Sequence, residues 1–499
     1  MHVVAASVRR RRDKWGCHTP LRHHGPRREC TALLRIAPRS HPVRKITAVT
    51  FRFVDLFCGI GGFHAAMSAL GGECVYAVDI DEAAASVYRR NWGLDPLGDI
   101  TADANEERVG VPDHEVLCAG FPCQPFSKSG AQRGMDETRG TLYWNILRII
   151  ESRHPALVLL ENVRNLAGPR HRHEWDLIIR TLREAGYIVS DAPAIFSPHL
   201  LPPSRGGKPH VRERVFIAAV RASHPEQVSH AFLSPVVSPK PVDNWDPQKW
   251  NLEKDLPLDT ISSDTTSVAL SDKEIYWIDA WDEFVRGMWD LREGRRLPGF
   301  PLWGDDWVPE NEVEIDADTP KWKADFLRKN AAFYEQHRHF IDRWMDRWEF
   351  HSEKFPPSRR KFEWQAQDTP DLWSTVMQMR PTGIRAKKPT YLPALVAITQ
   401  TSIIGPKRRR LSTSEAARLQ SLPSWFDFGD QSDAATYKQL GNGVSVAAIW
   451  HVVRATGLTH EETLRETCPP LAKAILTAPL NPTELLEQLP LRNRPSSAM

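Results

Sequence analysis

Phe51-Arg-Phe-Val-Asp-Leu-Phe-Cys-Gly-Ile-Gly-Gly-Phe63 is the stretch on which the fold turns. A short apolar run, Phe51 to Phe57, ends in a glycine-rich turn, and a helical pattern follows from Phe63 to Leu70. Glycine lets backbone approach a ligand closely and take positive φ. The helix that follows offers free N–H groups at its start. A second apolar run, Glu73 to Asp79, again ends in an acid, about where a carboxylate can accept hydrogen bonds from ribose hydroxyls. Gly98-Asp-Ile100 closes the next segment with an acid and an apolar side chain that could hold an adenine. By itself a Gly-rich turn fits either a dinucleotide site or merely a tight turn.

The same alternation continues outward. A helical pattern covers Glu82 to Asn91. Short apolar runs stand at Val116–Ala119, Ala156–Leu160 and Val215–Val220, separated by helical stretches at Leu142–Ser152 and Glu174–Ala185. Strands alternating with helices imply an α/β domain with a parallel sheet and helices on both faces. Ligands of such sheets sit at the carboxyl ends of the strands.

With 499 residues the chain is long enough for two domains plus tails, and its 41% apolar content suits a globular protein with a proper core. No unbroken apolar stretch is long enough for a membrane span, and the N-terminus lacks the apolar core of a secretory signal. Seven cysteines without disulfide-like spacing suggest reduced thiols and a cytoplasmic setting. Net charge is +3, yet residues 1–50 hold twelve Lys/Arg against two acids, so the rest of the chain carries about −7. Any nucleic-acid contact by the body must therefore use a local basic face. Residues 1–48 read as a disordered basic tail. Cys17, His18, His23, His24 and Cys30 in that tail fit no regular zinc spacing, and no metal site is expected.

Three further pieces carry chemistry. Gly120-Phe-Pro-Cys-Gln-Pro-Phe-Ser127 follows a strand end and sets Cys123 on a Pro-flanked loop. Leu160-Glu-Asn-Val163 places Glu161 after an apolar strand. His210-Val-Arg-Glu-Arg-Val-Phe216 puts Arg212 and Arg214 beside a strand. Taken singly, each has a plain reading: an inert buried cysteine, a helix-capping acid, a solvated basic face. Together they fit methylation of cytosine at C5. A thiolate adding to C6 breaks the ring's conjugation and makes C5 a carbon nucleophile. An acid bonded to N3 offsets charge building on the ring, and a cation near O2 and a phosphate helps in the same way. Such a reaction needs the base outside the duplex.

In these motifs the sequence resembles the bacterial DNA cytosine-5 methyltransferases over about 50–221 and 405–455, in the family's own order. The resemblance implies an α/β, Rossmann-like methyltransferase domain with a mixed, mostly parallel sheet that uses S-adenosyl-L-methionine, plus a smaller, irregular target-recognition domain. It implies that Phe57, Gly59, Ile60 and Gly61 belong to the cofactor pocket. Asp79 stands where the family usually has Glu, and Ile80 where it often has an aromatic. Asp99 and Ile100 match the adenine pair, Pro122 a cofactor neighbour, and Leu142 of Arg139-Gly-Thr-Leu142 a further cofactor-side motif. Cys123 is implied as nucleophile, Glu161 as the acid on the flipped base, and Arg212 and Arg214 as the paired arginines. His210 replaces the usual Gln. Gln124 and Ser127 of the catalytic loop are placed on DNA. Arg410–Gln420 resembles the ninth motif. Tyr437–Val446 resembles the tenth, whose Asn442 and Val444 return to the cofactor.

The expected domains are a tail at 1–48, a catalytic part at 49–221, target recognition at 222–404, a return to the catalytic domain at 405–458 and a C-terminal tail at 459–499. Arg380-Pro-Thr-Gly-Ile-Arg385-Ala-Lys-Lys388 is the basic piece most suited to DNA: Arg380 and Arg385 for guanine edges, Lys387 and Lys388 for phosphate. A plain basic loop is the other reading. Lys407–Arg410 is expected on phosphates. Twelve of the eighteen tryptophans lie between Trp245 and Trp373, and those at helical spacing read as core, with a long amphipathic helix near 320–350. From Thr459 onward a short helix and then disorder is expected. The implied partners are double-stranded DNA and a cognate restriction or defence system, with the chain acting as a monomer. A tRNA cytosine methyltransferase would have a much smaller recognition region, and a retired DNA-binding protein would have no need of Cys123, Glu161, Arg212 and Arg214.

Overall fold

The computed structural model describes residues 50–122, 142–228, 233–259, 265, 267–395 and 401–489. Seven strands form the first sheet: β1 (Phe51–Leu56), β2 (Gly72–Val78), β3 (Val116–Ala119), β4 (Leu157–Val163), β5 (Tyr187–Val189), β6 (Ala194–Phe196) and β7 (Arg214–Arg221). Their order is β2-β1-β3-β4-β7-β5, with β6 also on β7. β1 to β4 run parallel, and β7 lies antiparallel to β4, β5 and β6.

Both faces of this sheet are buried, and the register shows why its strands read as continuous apolar runs. Phe53, Val116, Cys118, Leu157 and Leu159 point into one core; Val54, Leu56, Leu117, Ala119, Val158 and Leu160 point into another. Helices α1 (Gly62–Ala69) and α2 (Glu82–Trp92) cover the first face. Helices α3 (Leu142–Arg153) and α4 (Arg172–Glu184) cover the second. These elements fall where the apolar periodicity predicts them. β5 and β6, three residues each, are too short to show in the pattern.

The region expected to be irregular is built on a second sheet. Helices α5 (Asp272–Leu291) and α6 (Lys321–Arg347) pack on β8 (Leu302–Trp303), β9 (Lys361–Gln365), β10 (Val376–Arg380), β11 (Gly383–Lys387), β12 (Ile403–Ile404) and β13 (Arg409–Arg410). The strand order is β13-β12-β10-β11-β9-β8. All pairs are antiparallel except β9 with β11. Side chains alternate across this sheet. Phe362, Trp364, Met377, Met379, Ile384 and Ala386 form the apolar face, against Trp281, Phe284, Phe333 and Trp344 of the two helices. Trp281 stacks on Phe362 with ring centroids 4.6 Å apart. The tryptophans at helical spacing are therefore core, whereas Trp322 at the start of α6 is 61% exposed.

Two expected boundaries shift. The second sheet runs on to Arg410, beyond residue 404. After α7 (Thr413–Leu419), α8 (Asp433–Asn442) and α9 (Val446–Thr459), the chain does not trail away. It forms α10 (Glu461–Thr467), α11 (Pro469–Thr477) and α12 (Thr483–Glu487). These send Leu464, Leu471, Ile475 and Leu486 into the core shared with α1 and α9. Each helix is only one to three turns long and anchored by one to three apolar residues, a signal too weak to stand out in sequence.

Candidate active site

A cavity of about 430 Å³ opens where β1, β2, β3 and β4 end, walled on its far side by the turn after α8. Eight residues predicted for the cofactor line it: Phe57, Gly59, Ile60, Asp79, Ile80, Pro122, Asn442 and Val444. Glu161 and Arg214 line the same space.

The turn after β1 is shaped for a ligand. Phe57 takes φ 54°, a left-handed conformation uncommon for an aromatic residue, and Gly59 follows at φ 53°. A Cβ on Gly59 would meet no protein atom within 4 Å, so that backbone faces open space. Its N–H donates to Asp79 Oδ2 at 2.7 Å, and Asp81 N–H donates to Asp79 Oδ1 at 2.8 Å. Burial pushes the Asp79 carboxyl up, and those backbone donors pull it back. Each carboxylate oxygen has a second lone pair to offer. Beside it Ile80 is 77% exposed, an apolar side chain standing free at the cavity rim. Vicinal hydroxyls on Asp79 and an adenine against Ile80 suit this wall, so the residues present fit S-adenosylmethionine.

Gly61, Asp99, Ile100 and Leu142 do not line the cavity. Gly61 caps α1 at φ 91°, and a Cβ there would lie 2.1 Å from Trp92 Nε1, so it serves helix packing. Asp99 is exposed and caps a short helical turn through Thr101 N at 2.9 Å. Ile100 is buried in the core beneath β1 and β2, and Leu142 packs on the same core at the start of α3. Cys123, Gln124 and Ser127 lie outside the described residues.

At the other end of the cavity, the antiparallel β4/β7 pairing brings an acid and a base together. Glu161 faces Phe216 in register, and Arg214, two residues along, points to the same side. Arg214 Nε lies 2.9 Å from Glu161 Oε1. Burial pushes the Glu161 carboxyl above its ordinary value, and the charges of Arg214 and Arg212 pull it back. Asn162 holds the start of the catalytic loop by donating from Nδ2 to Phe121 O at 2.9 Å.

Arg212 is placed differently from Arg214. It is 1% exposed and absent from the cavity wall. Its guanidinium donates to Leu395 O at 3.2 Å, to Gly441 O at 2.7 Å and to Gly443 O. Burial pulls its pKa down to about 9, so it remains charged at neutrality. His210 is equally buried and, with its pKa pushed well down by burial, is neutral. Its Nε2 accepts from Leu395 N at 3.1 Å. The two side chains thus tie the 392–395 segment, and Arg212 the turn around Asn442, to the front of β7.

Sequence reasoning missed Lys438 and Asp81, which form a 3.1 Å ion pair at the cavity wall between α8 and the start of α2. Asp81 also caps α2, accepting from Ala84 N at 3.1 Å, a local role that gives no sign of the cavity in sequence. Cys58 also lines the cavity, but burial pushes its thiol well up, so it is no competing nucleophile.

The basic residues predicted for DNA all have protein partners. Arg380 and Arg385 share Glu363. The Lys387 ammonium sits 5.0 Å over the Tyr391 ring, and Lys388 pairs with Asp368 at 2.5 Å. In the second basic cluster, Lys407 pairs with Glu253, Arg408 stacks 4.3 Å over Trp373, and Arg410 pairs with Glu274. Arg409 is fully buried against Glu415 at 2.7 Å, which removes it from any phosphate contact. It ties the last strand of the second sheet to α7 instead.

The description of C-5 cytosine-specific DNA methylases matches residues 51–457. The chain is 49% identical over 476 residues to the type II methyltransferase M.AluI of Cellulosimicrobium cellulans, covering 81% of this chain and 91% of that protein. It is 41% identical over 170 residues to the type II methyltransferase M.HhaI of Haemophilus parahaemolyticus, covering 34% of this chain and 49% of that protein. Among solved structures, a DNA modification methyltransferase encoded within an E. coli prophage covers 82% of this chain with 18% identity and a TM-score of 0.43.

Proposed function

Since the chain belongs to the family of C-5 cytosine-specific DNA methylases, we propose how its residues divide the work of methylating a cytosine flipped out of DNA. The observation that carries the proposal is a single cavity holding both Asp79 and the Glu161–Arg214 pair. Cofactor and base thus meet in one space. When bound, S-adenosylmethionine supplies a methyl group on a sulfonium, an electrophile for a carbon nucleophile. Asp79 accepts from the ribose hydroxyls, and Ile80 gives the adenine an apolar face. Asn442 and Val444 close the pocket, held in place by Arg212 through the neighbouring carbonyls.

Cys123, four residues after β3 in the sequence, is the nucleophile. Its thiolate forms the S–C6 bond, and the displaced π electrons move toward C5. Glu161 keeps a proton at cytosine N3, a role that its raised pKa supports. Arg214 orients that carboxyl and presents its remaining N–H groups to the base. Arg212 acts through the turn it holds and does not touch the base. Release of the C5 proton and expulsion of the thiolate then restore the ring.

The likeness to type II methyltransferases supports a restriction-modification setting, and we propose a cognate restriction or defence system as partner and a chain that works as a cytoplasmic monomer. The test is bisulfite sequencing of plasmid DNA from cells expressing the chain beside a Cys123→Ser control. Methylated cytosines in one short sequence, absent from the control, are expected. Methylation that persists in the control would remove Cys123 from its role.

A further inference from the structure

Opposite its tryptophan core, the second sheet presents a polar face. Glu363 on β9 stands beside Arg385 on β11, and Arg385 stands across from Gln378 on β10, two residues from Arg380. All four point away from the apolar face because side chains alternate along a strand. Glu363 Oε2 accepts from Arg385 Nε at 2.8 Å and lies 2.7 Å from its Nη2, while Oε1 pairs with Arg380 Nη2. One carboxylate thereby holds two guanidinium groups, and the trio keeps a net positive charge. The three side chains remain 21 to 31% exposed. Each arginine retains Nη1 with no protein partner among the described residues, and Arg380 Nε is buried without one.

This face continues to the catalytic edge. Lys387, next along β11 on the same side, sits over Tyr391, whose ring packs 5.4 Å from that of His199. His199 Nδ1 bonds the Ser197 hydroxyl, which accepts the backbone N–H of Arg212 at 2.8 Å. The arginine pair is thus linked through a short series of contacts to the residues that frame the cavity.

We propose that Glu363 is a positioning residue for sequence reading: it fixes the planes of Arg380 and Arg385 so that their free N–H edges meet the acceptors of a guanine. This rests on the reading of those two arginines as DNA-contacting residues. Bidentate recognition of a base edge demands a set orientation of the guanidinium, whereas a phosphate does not. Without the carboxylate, two guanidinium groups on adjacent strands repel and lose their shared geometry. With it, less side-chain freedom is lost on binding.

The experiment uses the full chain with Glu363→Gln, Glu363→Asp, Arg380→Ala and Arg385→Ala. It measures KM for DNA, KM for S-adenosylmethionine, the melting temperature and the bisulfite pattern. Glu363→Gln is expected to raise KM for the cognate DNA about tenfold to a hundredfold, and to admit methylation at sites that differ by one base. KM for the cofactor and melting temperature should hold, and Glu363→Asp should recover part of the selectivity. Unchanged selectivity in Glu363→Gln, or a uniform weakening on every sequence, overturns the inference. If the arginine variants are strong while Glu363→Gln is silent, only the role of Glu363 falls. If the arginine variants are themselves silent, their DNA-reading assignment falls and takes the inference with it.

Discussion

The two sheets use their strands in opposite ways. The first is buried on both faces and places its chemistry at strand ends: Phe57 and Gly59 after β1, Asp79 after β2, Glu161 near the end of β4. The second is buried on one face only and carries its charged groups along the other, on β9, β10 and β11. On the first sheet Asp79 is held by backbone amides, and strand register brings Arg214 onto Glu161, so the geometry is set largely by the fold itself. On the second sheet the arginines are held by another side chain, Glu363, so their geometry is set by a carboxylate that can be replaced without unmaking the sheet. A catalytic site needs fixed reach. A recognition face can vary while the core behind it stays the same.

That contrast can be broken at its structural end first. Trp281→Ala removes a buried ring that stacks on Phe362 and donates to Arg359 O at 2.9 Å. It is expected to cost about 3–5 kcal/mol, read by chemical denaturation, and to leave binding of S-adenosylmethionine to the remaining folded protein intact. Loss of cofactor affinity in that fraction would show that the two layers are not separable. Next in size, Glu161→Gln is expected to lower kcat by roughly 10²-fold or more with little change in melting temperature.

Its pH profile sharpens the point. Burial raises the Glu161 pKa, so the protonated form persists to higher pH than in an ordinary carboxyl and is lost as pH climbs through the raised value. Methylation by the parent chain should therefore decline on its alkaline side, and that decline should flatten in the Gln variant. An alkaline limb identical in both would assign it to another group. The smallest effect is reserved for Trp322→Ala, on the exposed start of α6. Stability should stay within about 0.5 kcal/mol, and a larger loss would mean that this tryptophan packs against something beyond the described residues.

The same asymmetry governed what could be read from sequence. β1, β3, β4 and β7 were visible as apolar runs because both faces are buried, β2 read as apolar although it is a half-buried edge strand, and the acids and glycines that follow them stood out as breaks in those runs. β8 to β13 have two to five residues each and alternate with charged side chains, so they dissolved into a region that looked merely rich in tryptophan. The helix at Lys321–Arg347 was the exception, since its apolar spacing repeats over many turns.

Local pattern was enough to mark the turn after β1, the acid at Asp79, the Cys123 segment and the Glu161 strand as breaks after apolar runs, while their roles followed only from the pieces taken together and from the family resemblance. Only the tertiary structure separated Arg212 from Arg214. They stand two apart in sequence, yet one is sealed against three carbonyls and the other lines the cavity. It likewise turned Arg409 into a buried strut against Glu415 and put Arg380 and Arg385 on one carboxylate. A cation's role depends on which distant acceptor the fold brings to it, and that distance is a property of packing between elements that local sequence does not encode.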